Sequence, residues 1–198
     1  MPLVPVYSFE ELNVILSAGS NAVTNAYQQF RLVFPGRSMM EIGLTDIFLT
    51  QAQTLSSAYG KDAFFEWSNN ENITGCDFVV KVNKNQTTNK HDVLCQAKVA
   101  KTVGDDSYAD FFYESGKTIG RVKVLDYQNI LLADYAKITK SEAYYVIYDV
   151  KGVSWVNAIA LKDWFDTNPR GKMPMVDYCV KAFKALAKPS YLDARAML

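Results

Sequence analysis

Val93-Leu-Cys-Gln-Ala-Lys-Val99 is the stretch on which the fold of this chain turns. It is short, mostly apolar, and carries a glutamine and a lysine two positions apart. In an extended strand alternate side chains share a face, so Gln96 and Lys98 point one way while Cys95, Ala97 and Val99 point the other. A lysine on such a strand needs a partner, because a buried charge must be compensated. The natural partner is Asp77, which opens a second strand-like run, Asp77-Phe-Val-Val-Lys-Val82. It follows directly on Thr74-Gly75-Cys76, where a glycine can supply the tight turn that delivers the carboxylate to the strand's edge. The competing reading is a solvent-exposed sheet face carrying Asp, Gln and Lys for solubility.

Outward from these two runs, Ala63-Phe-Phe-Glu-Trp67 adds a third short segment rich in aromatic residues, and Asn/Thr/Gly segments separate the three as in a meander. The first 60 residues read as helical. Ser8-Phe-Glu-Glu11 is a capping-box pattern, a second helical stretch runs from about 21 to 34, and Pro35-Gly36 breaks the chain. Ser38-Met-Met-Glu41 repeats the capping signature ahead of a helix expected to end near Gly60, so Glu41 is a candidate cap as well as a candidate ligand. From about 105 to 138 the spacing of Val122, Leu125, Leu132 and Tyr135 predicts helix. Ala143–Asp149 and Ser154–Ile159 read as strands, and a last helix follows Pro174 over 175–187. The expected order is helices, three strands, helix, two strands, helix, in one α/β domain of 198 residues. Its parts are an N-terminal helical extension (1–37), a core (38–160) and a C-terminal helical extension (161–198).

Composition narrows the function classes. Apolar residues make up 49% and charged residues 21%, as in ordinary globular domains rather than disordered chains. Lysine plus arginine equals aspartate plus glutamate at 21 each, so no global positive field announces a nucleic-acid partner. Local charge must serve instead, and Lys81, Lys84, Lys90, Lys98 and Lys101 face only Asp92 between 81 and 101. The amide- and threonine-rich loop 83–89 suits backbone phosphate contacts, or is a solvated hairpin tip. Tyr108, Phe111, Phe112 and Tyr113 are candidates for base stacking, but core and helix packing is the favoured reading. Cys76, Cys95 and Cys179 lack the spacing of a zinc site and read as buried thiols. A single histidine, His91, excludes chemistry that needs two. No basic leader and no apolar run of about 18 residues is present, so a cytoplasmic protein without a membrane partner is expected.

Phosphodiester hydrolysis asks for oxygen ligands that hold Mg²⁺ against a phosphate oxygen, and for a cation that orients the attacking water. Asp77, the Gln96 side-chain oxygen and the Ala97 backbone carbonyl can supply the first, and Lys98 the second.

Glu71-Asn-Ile-Thr-Gly-Cys-Asp77 followed by Gln96-Ala-Lys98 resembles the core of the PD-(D/E)XK, or restriction-endonuclease-like, nuclease superfamily, in the variant with glutamine before x-Lys. The wider pattern is similar to a bacterial branch with a leading helix bearing Glu, then ExxTGxD, QAK, a Tyr and a helix bearing Gln. Here those elements are Glu41, Glu71 to Asp77, Gln96 to Lys98, Tyr108 and Gln128, over roughly residues 38 to 149. The resemblance implies an αβββαβ core, a central mixed sheet flanked by helices, with Asp77 as metal ligand and Lys98 as catalytic lysine. It implies a Mg²⁺-dependent nuclease, with Mn²⁺ as a substitute, acting on DNA in preference to RNA, and a defence setting would suit it by analogy.

Two departures stand out. Gln96 is neutral where an acid is usual, so Glu71 or Glu41 must supply the missing charge. Leu132 stands four residues after Gln128, where the QxxxY pattern of recombination-type nucleases has tyrosine. Glu71 is either a second ligand or part of an ordinary polar turn, and Gln128 either a core amide or a positioning group near Lys98. No separable recognition domain is read, so specificity is expected to be low or to come from a partner protein or a homodimer. A nuclease fold that has lost catalysis and acts as a binding or regulatory subunit is the alternative, favoured by Gln96 and the zero net charge.

Overall fold

The computed structural model describes residues 7–61, 65–69, 71–81, 92–112, 114–119 and 122–189. His91, Tyr113 and the 83–89 loop, with Lys84 and Lys90, lie outside the described residues.

Two helices come first, α1 (Phe9–Val33) and α2 (Glu41–Ala58). The capping box at Ser8 and Glu11 forms as expected, each side chain bonding the other residue's backbone amide. The stretch from 21 to 34 is not a separate helix, because α1 runs unbroken through Gly19. That glycine is there for packing: a Cβ on it would stand 2.9 Å from the Phe48 ring, so its absence lets α1 and α2 approach closely. The second capping box does not form. Met40 is the cap residue of α2, without a side-chain cap bond, and Glu41 is its first helical residue.

The meander follows as β1 (Phe65–Trp67), the single turn α3 (Glu71–Thr74), β2 (Phe78–Val80) and β3 (Val93–Val99). The predicted helix from 105 onward is wrong in its first two thirds. The chain instead makes a hairpin of β4 (Lys101–Val103) and β5 (Asp106–Tyr108), then a second of β6 (Glu114–Ile119) and β7 (Val122–Tyr127). Thr118, Ile119, Val122 and Val124 are β-branched, and this strand preference outweighs a helical spacing supported by few residues. Only then does α4 (Gln128–Thr139) begin, carrying Leu132 and Tyr135.

β8 (Ala143–Asp149) and β9 (Gly152–Asn157) are the two expected strands, but the second stops early. Asn157 accepts the Ala160 amide and so starts α5 (Ala158–Thr167), a helix the sequence reading missed. After α6 (Met175–Leu186), Lys188–Pro189 forms β10, so the C-terminal segment is not helical throughout.

Six strands form one mixed sheet in the order β1-β2-β3-β8-β9-β10. β3 and β8 are parallel, with Gln96 opposite Tyr145, and the other neighbours are antiparallel. A parallel pair needs a crossover, and α4 lies in it. Helices cover both faces. Leu16, Phe48, Ala97 and Trp155 belong to the core beneath α1 and α2, while Leu94, Leu132, Tyr145 and Leu161 belong to the core beneath α4, α5 and α6. The molecule is therefore an α/β protein with a mixed sheet between two helical layers. All three thiols are buried and free. Among the described residues no helix is long and apolar enough to cross a membrane.

Candidate active site

The site begins where β2 stops. Phe78 pairs with Cys95, and the Asp77 amide still donates to the Cys95 carbonyl at 2.8 Å, but beyond that point, among the described residues, no strand pairs with β3 on this side. Two side chains take over. The Asp77 carboxylate accepts the Ala97 amide at 2.7 Å, and the Glu41 carboxylate, from the first turn of α2, accepts the Val99 amide. Backbone donors at 97 and 99 point the same way along a strand, so two acids cap consecutive open positions of one edge. By the same alternation the Ala97 carbonyl faces that edge.

The Thr-Gly-x-Asp segment brings Asp77 to this position. α3 ends with the Gly75 amide donating to the Glu71 carbonyl at 2.7 Å, and Gly75 adopts a left-handed φ of 66°. Thr74 Oγ1 then accepts the Cys76 amide at 3.2 Å, and the chain enters β2 two residues later, at Phe78. From the other side, the Ser68 amide donates to the Asp77 carbonyl at 2.8 Å, which ties β1 to the same residue.

Glu41, Glu71, Asp77 and Ala97 line one cavity of about 280 Å³, together with Ile42, Thr45, Trp67 and Ser68. Four of the six residues read as site candidates thus converge. Gln96 and Lys98 project from the opposite face of β3, as strand alternation requires, and neither lines the cavity. They are not a solubility face: Gln96 is 1% and Lys98 9% exposed. Gln96 reaches the site through Asp77, its Nε2 donating to Asp77 Oδ2 at 2.8 Å. An ionised carboxylate can only accept, so the amide presents nitrogen to it, and Gln96 Oε1 is left buried without a hydrogen-bond partner. In this arrangement Gln96 holds Asp77 through its amide nitrogen, and its oxygen, the atom expected to face a metal, is turned away from the carboxylate.

Electrostatics follow from this geometry. Burial above all, with help from Glu71 and Glu41, raises the Asp77 carboxyl to about 7 against the lowering effects of the Ala97 amide and Lys98. Glu41 is also raised, chiefly by burial, while Lys98 and the Val99 amide pull it down. Lys98 thus acts electrostatically on both acids.

The remaining candidates fall elsewhere. Tyr108 is in β5, half-buried against the core, and Phe111 is fully buried, which removes it from base stacking. Phe112 packs on Phe165 and Tyr178. Gln128 is the first residue of α4. The basic cluster is largely compensated among the described residues, since Lys81 pairs with Glu66 and Asp92, and Lys101 with Asp110.

The sequence reading missed Ile42, Thr45 and Trp67. The signal was available only for Trp67, whose register partner is Phe78, the neighbour of Asp77.

The donor set fits a hard divalent cation in kind: carboxylate oxygens and a backbone carbonyl around a cavity in which an acid is held with difficulty in its charged form. Among the described residues no three Asp, Glu, His or Cys side chains stand close enough to hold an ion as they are. Mg²⁺ does not require three, because it keeps several waters and uses one or two carboxylates with substrate phosphate oxygens. No protein-family model matches the chain, and no curated protein matches it.

Proposed function

We propose that this protein is a metal-dependent nuclease that hydrolyses phosphodiester bonds in DNA. The observation that carries the reading is the convergence of Asp77, Glu41 and Glu71 on one cavity at the open edge of β3, with Lys98 acting electrostatically on two of them. An acidic cluster in a partly enclosed cavity is expensive without a counter-charge, and a divalent cation supplies one.

Asp77 and the Ala97 carbonyl would hold Mg²⁺ or Mn²⁺, with Glu41 or Glu71 as the second acid. When bound, the ion polarises a phosphate oxygen and lowers the pKa of a coordinated water. Gln96 fixes the rotamer of Asp77. Lys98, which acts on Asp77 and Glu41 from the other face of β3, would offset charge that develops on the phosphate, and would orient the attacking water only by reaching round the open edge of the strand. The element order α2, β1, β2, β3, α4, β8, with β3 and β8 parallel, supports a restriction-endonuclease-like αβββαβ core enlarged by two hairpins, α1, and the α5–α6 region.

The test is incubation of supercoiled plasmid, linear duplex and single-stranded DNA with Mg²⁺ or Mn²⁺, for the wild type, Asp77→Ala and Lys98→Ala. Cleavage that depends on the metal and is lost in both variants is the expected result. Equal activity in all three proteins, or none in the wild type, sinks the mechanism. In the second case the inactive, nucleic-acid-binding form of the fold takes its place.

A further inference from the structure

The acidic cavity also has an apolar lining. Trp67 and Ile42 border it together with the carboxylates, and both are exposed, at 44% and 66%. Trp67 is nevertheless held in place. Its ring meets the Phe65 ring edge-on at 6.0 Å and the Phe78 ring at 6.4 Å, and the next residue, Ser68, is hydrogen-bonded to the backbone of Asp77. A large aromatic side chain, fixed by its neighbours yet open to solvent, stands beside the group that would face a phosphate.

We infer that Trp67, with Ile42, is a stacking platform for a nucleobase and that the substrate of this cavity is single-stranded DNA. This rests on the nuclease reading of the same cavity. A nucleotide has one anionic and one flat apolar part, and the cavity offers an acidic, cation-binding side and an aromatic side within about 280 Å³. In an intact duplex every base is stacked between its neighbours, so reaching Trp67 would require unstacking a base. A single strand avoids most of that cost.

The experiment uses a single-stranded oligonucleotide carrying 2-aminopurine, and a hairpin duplex of the same sequence, titrated in Ca²⁺ with the whole chain. For the wild type, tighter binding of the single strand and a change in 2-aminopurine emission on binding are expected. Trp67→Ala should weaken single-strand binding roughly 5- to 150-fold, the range for one stacked base, and abolish the emission change, whereas Trp67→Phe should retain both. Should Trp67→Ala fail to fold, the wild-type emission change and the Trp67→Phe titration still decide the matter. Duplex bound as tightly as single strand, an equivalent RNA strand bound more tightly than DNA, or unchanged binding in Trp67→Ala overturns the inference. Failure here is separable from failure of the nuclease reading. Stacking without any metal-dependent cleavage removes the enzyme and overturns the substrate part of the inference, leaving Trp67 as a platform for a bound single strand, whereas duplex cleavage indifferent to Trp67 overturns the inference and leaves the enzyme.

Discussion

Asp77 completes the β-ladder that its own strand leaves open: its carboxylate accepts the Ala97 amide at 2.7 Å, one ladder position beyond the last backbone bond between β2 and β3. The side chain does a backbone's work, and in doing so it is pulled in among Glu41 and Glu71. Glu41 repeats the device at Val99. The structural role of each acid thus fixes its position, and on the proposed reading the charge that results is what would draw a cation into the cavity.

The first prediction follows from the Asp77 carboxyl being raised from an ordinary value of 3.8 to about 7. Between those two values the folded protein binds more protons than the unfolded chain, so stability falls as pH rises from about 4 to about 7 and changes little above that. Even discounted severalfold for water entering the cavity, a shift of this size is worth on the order of 1 kcal/mol or more. Asp77→Asn should therefore raise Tm at pH 8 in the absence of divalent metal and leave it nearly unchanged at pH 4. Equal shifts at both pH values would remove the premise.

Gly75 supplies the turn that delivers Asp77, at a φ of 66°. An alanine there must adopt a left-handed conformation, at a cost of about 1–2 kcal/mol. Asparagine tolerates this region better. Denaturant midpoints should fall for Gly75→Ala and fall less for Gly75→Asn, and a Gly75→Ala midpoint equal to that of the wild type would show that the turn is not strained as described.

The strands carrying the site were legible because their signals are local. Val93–Val99 and Ala143–Asp149 have the expected bounds, and both are almost wholly buried. The alternation of Gln96 and Lys98 against Ala97 follows from period two alone. What was hidden depends on tertiary neighbours. Glu41 reads as a cap in Ser38-Met-Met-Glu41, and only the approach of α2 to β3 turns it toward Val99. Gln96 reads as an oxygen ligand until the carboxylate beside it dictates which end of the amide it sees. The β6–β7 hairpin was lost because Val122 and Leu125 sit at a helical interval within a run too short to distinguish three-residue from two-residue spacing.

Lys98 is the next test. It is 9% exposed and acts on both Glu41 and Asp77, so its removal leaves acids in the cavity without that compensation. Lys98→Met should lower stability by roughly 1–3 kcal/mol at pH 8 and by less at pH 5, where protonation relieves the acids, since unpairing a buried charge costs more than the pair contributes. Combining it with Asp77→Asn should recover part of the loss. A double variant no more stable than Lys98→Met at pH 8 would mean that the two side chains do not share one electrostatic site.

The last prediction joins the raised acid to the metal. A carboxyl that titrates near 7 is largely protonated at pH 6, whereas Mg²⁺ or Mn²⁺ binds only its ionised form. Binding must therefore expel a proton, and apparent affinity must rise with pH until Asp77 is ionised without help. Calorimetric titration at pH 6.5 in two buffers of different ionisation enthalpy should show release of a substantial fraction of one proton per metal, falling toward zero by pH 9. Asp77→Asn should abolish the release and weaken binding, while Glu41→Gln should reduce both, because Glu41 is raised by the same burial and helps to raise Asp77. Metal binding with no buffer dependence at pH 6.5 would place the ion elsewhere, since no ligand set that includes an acid held near pH 7 can accept a divalent cation there without releasing its proton.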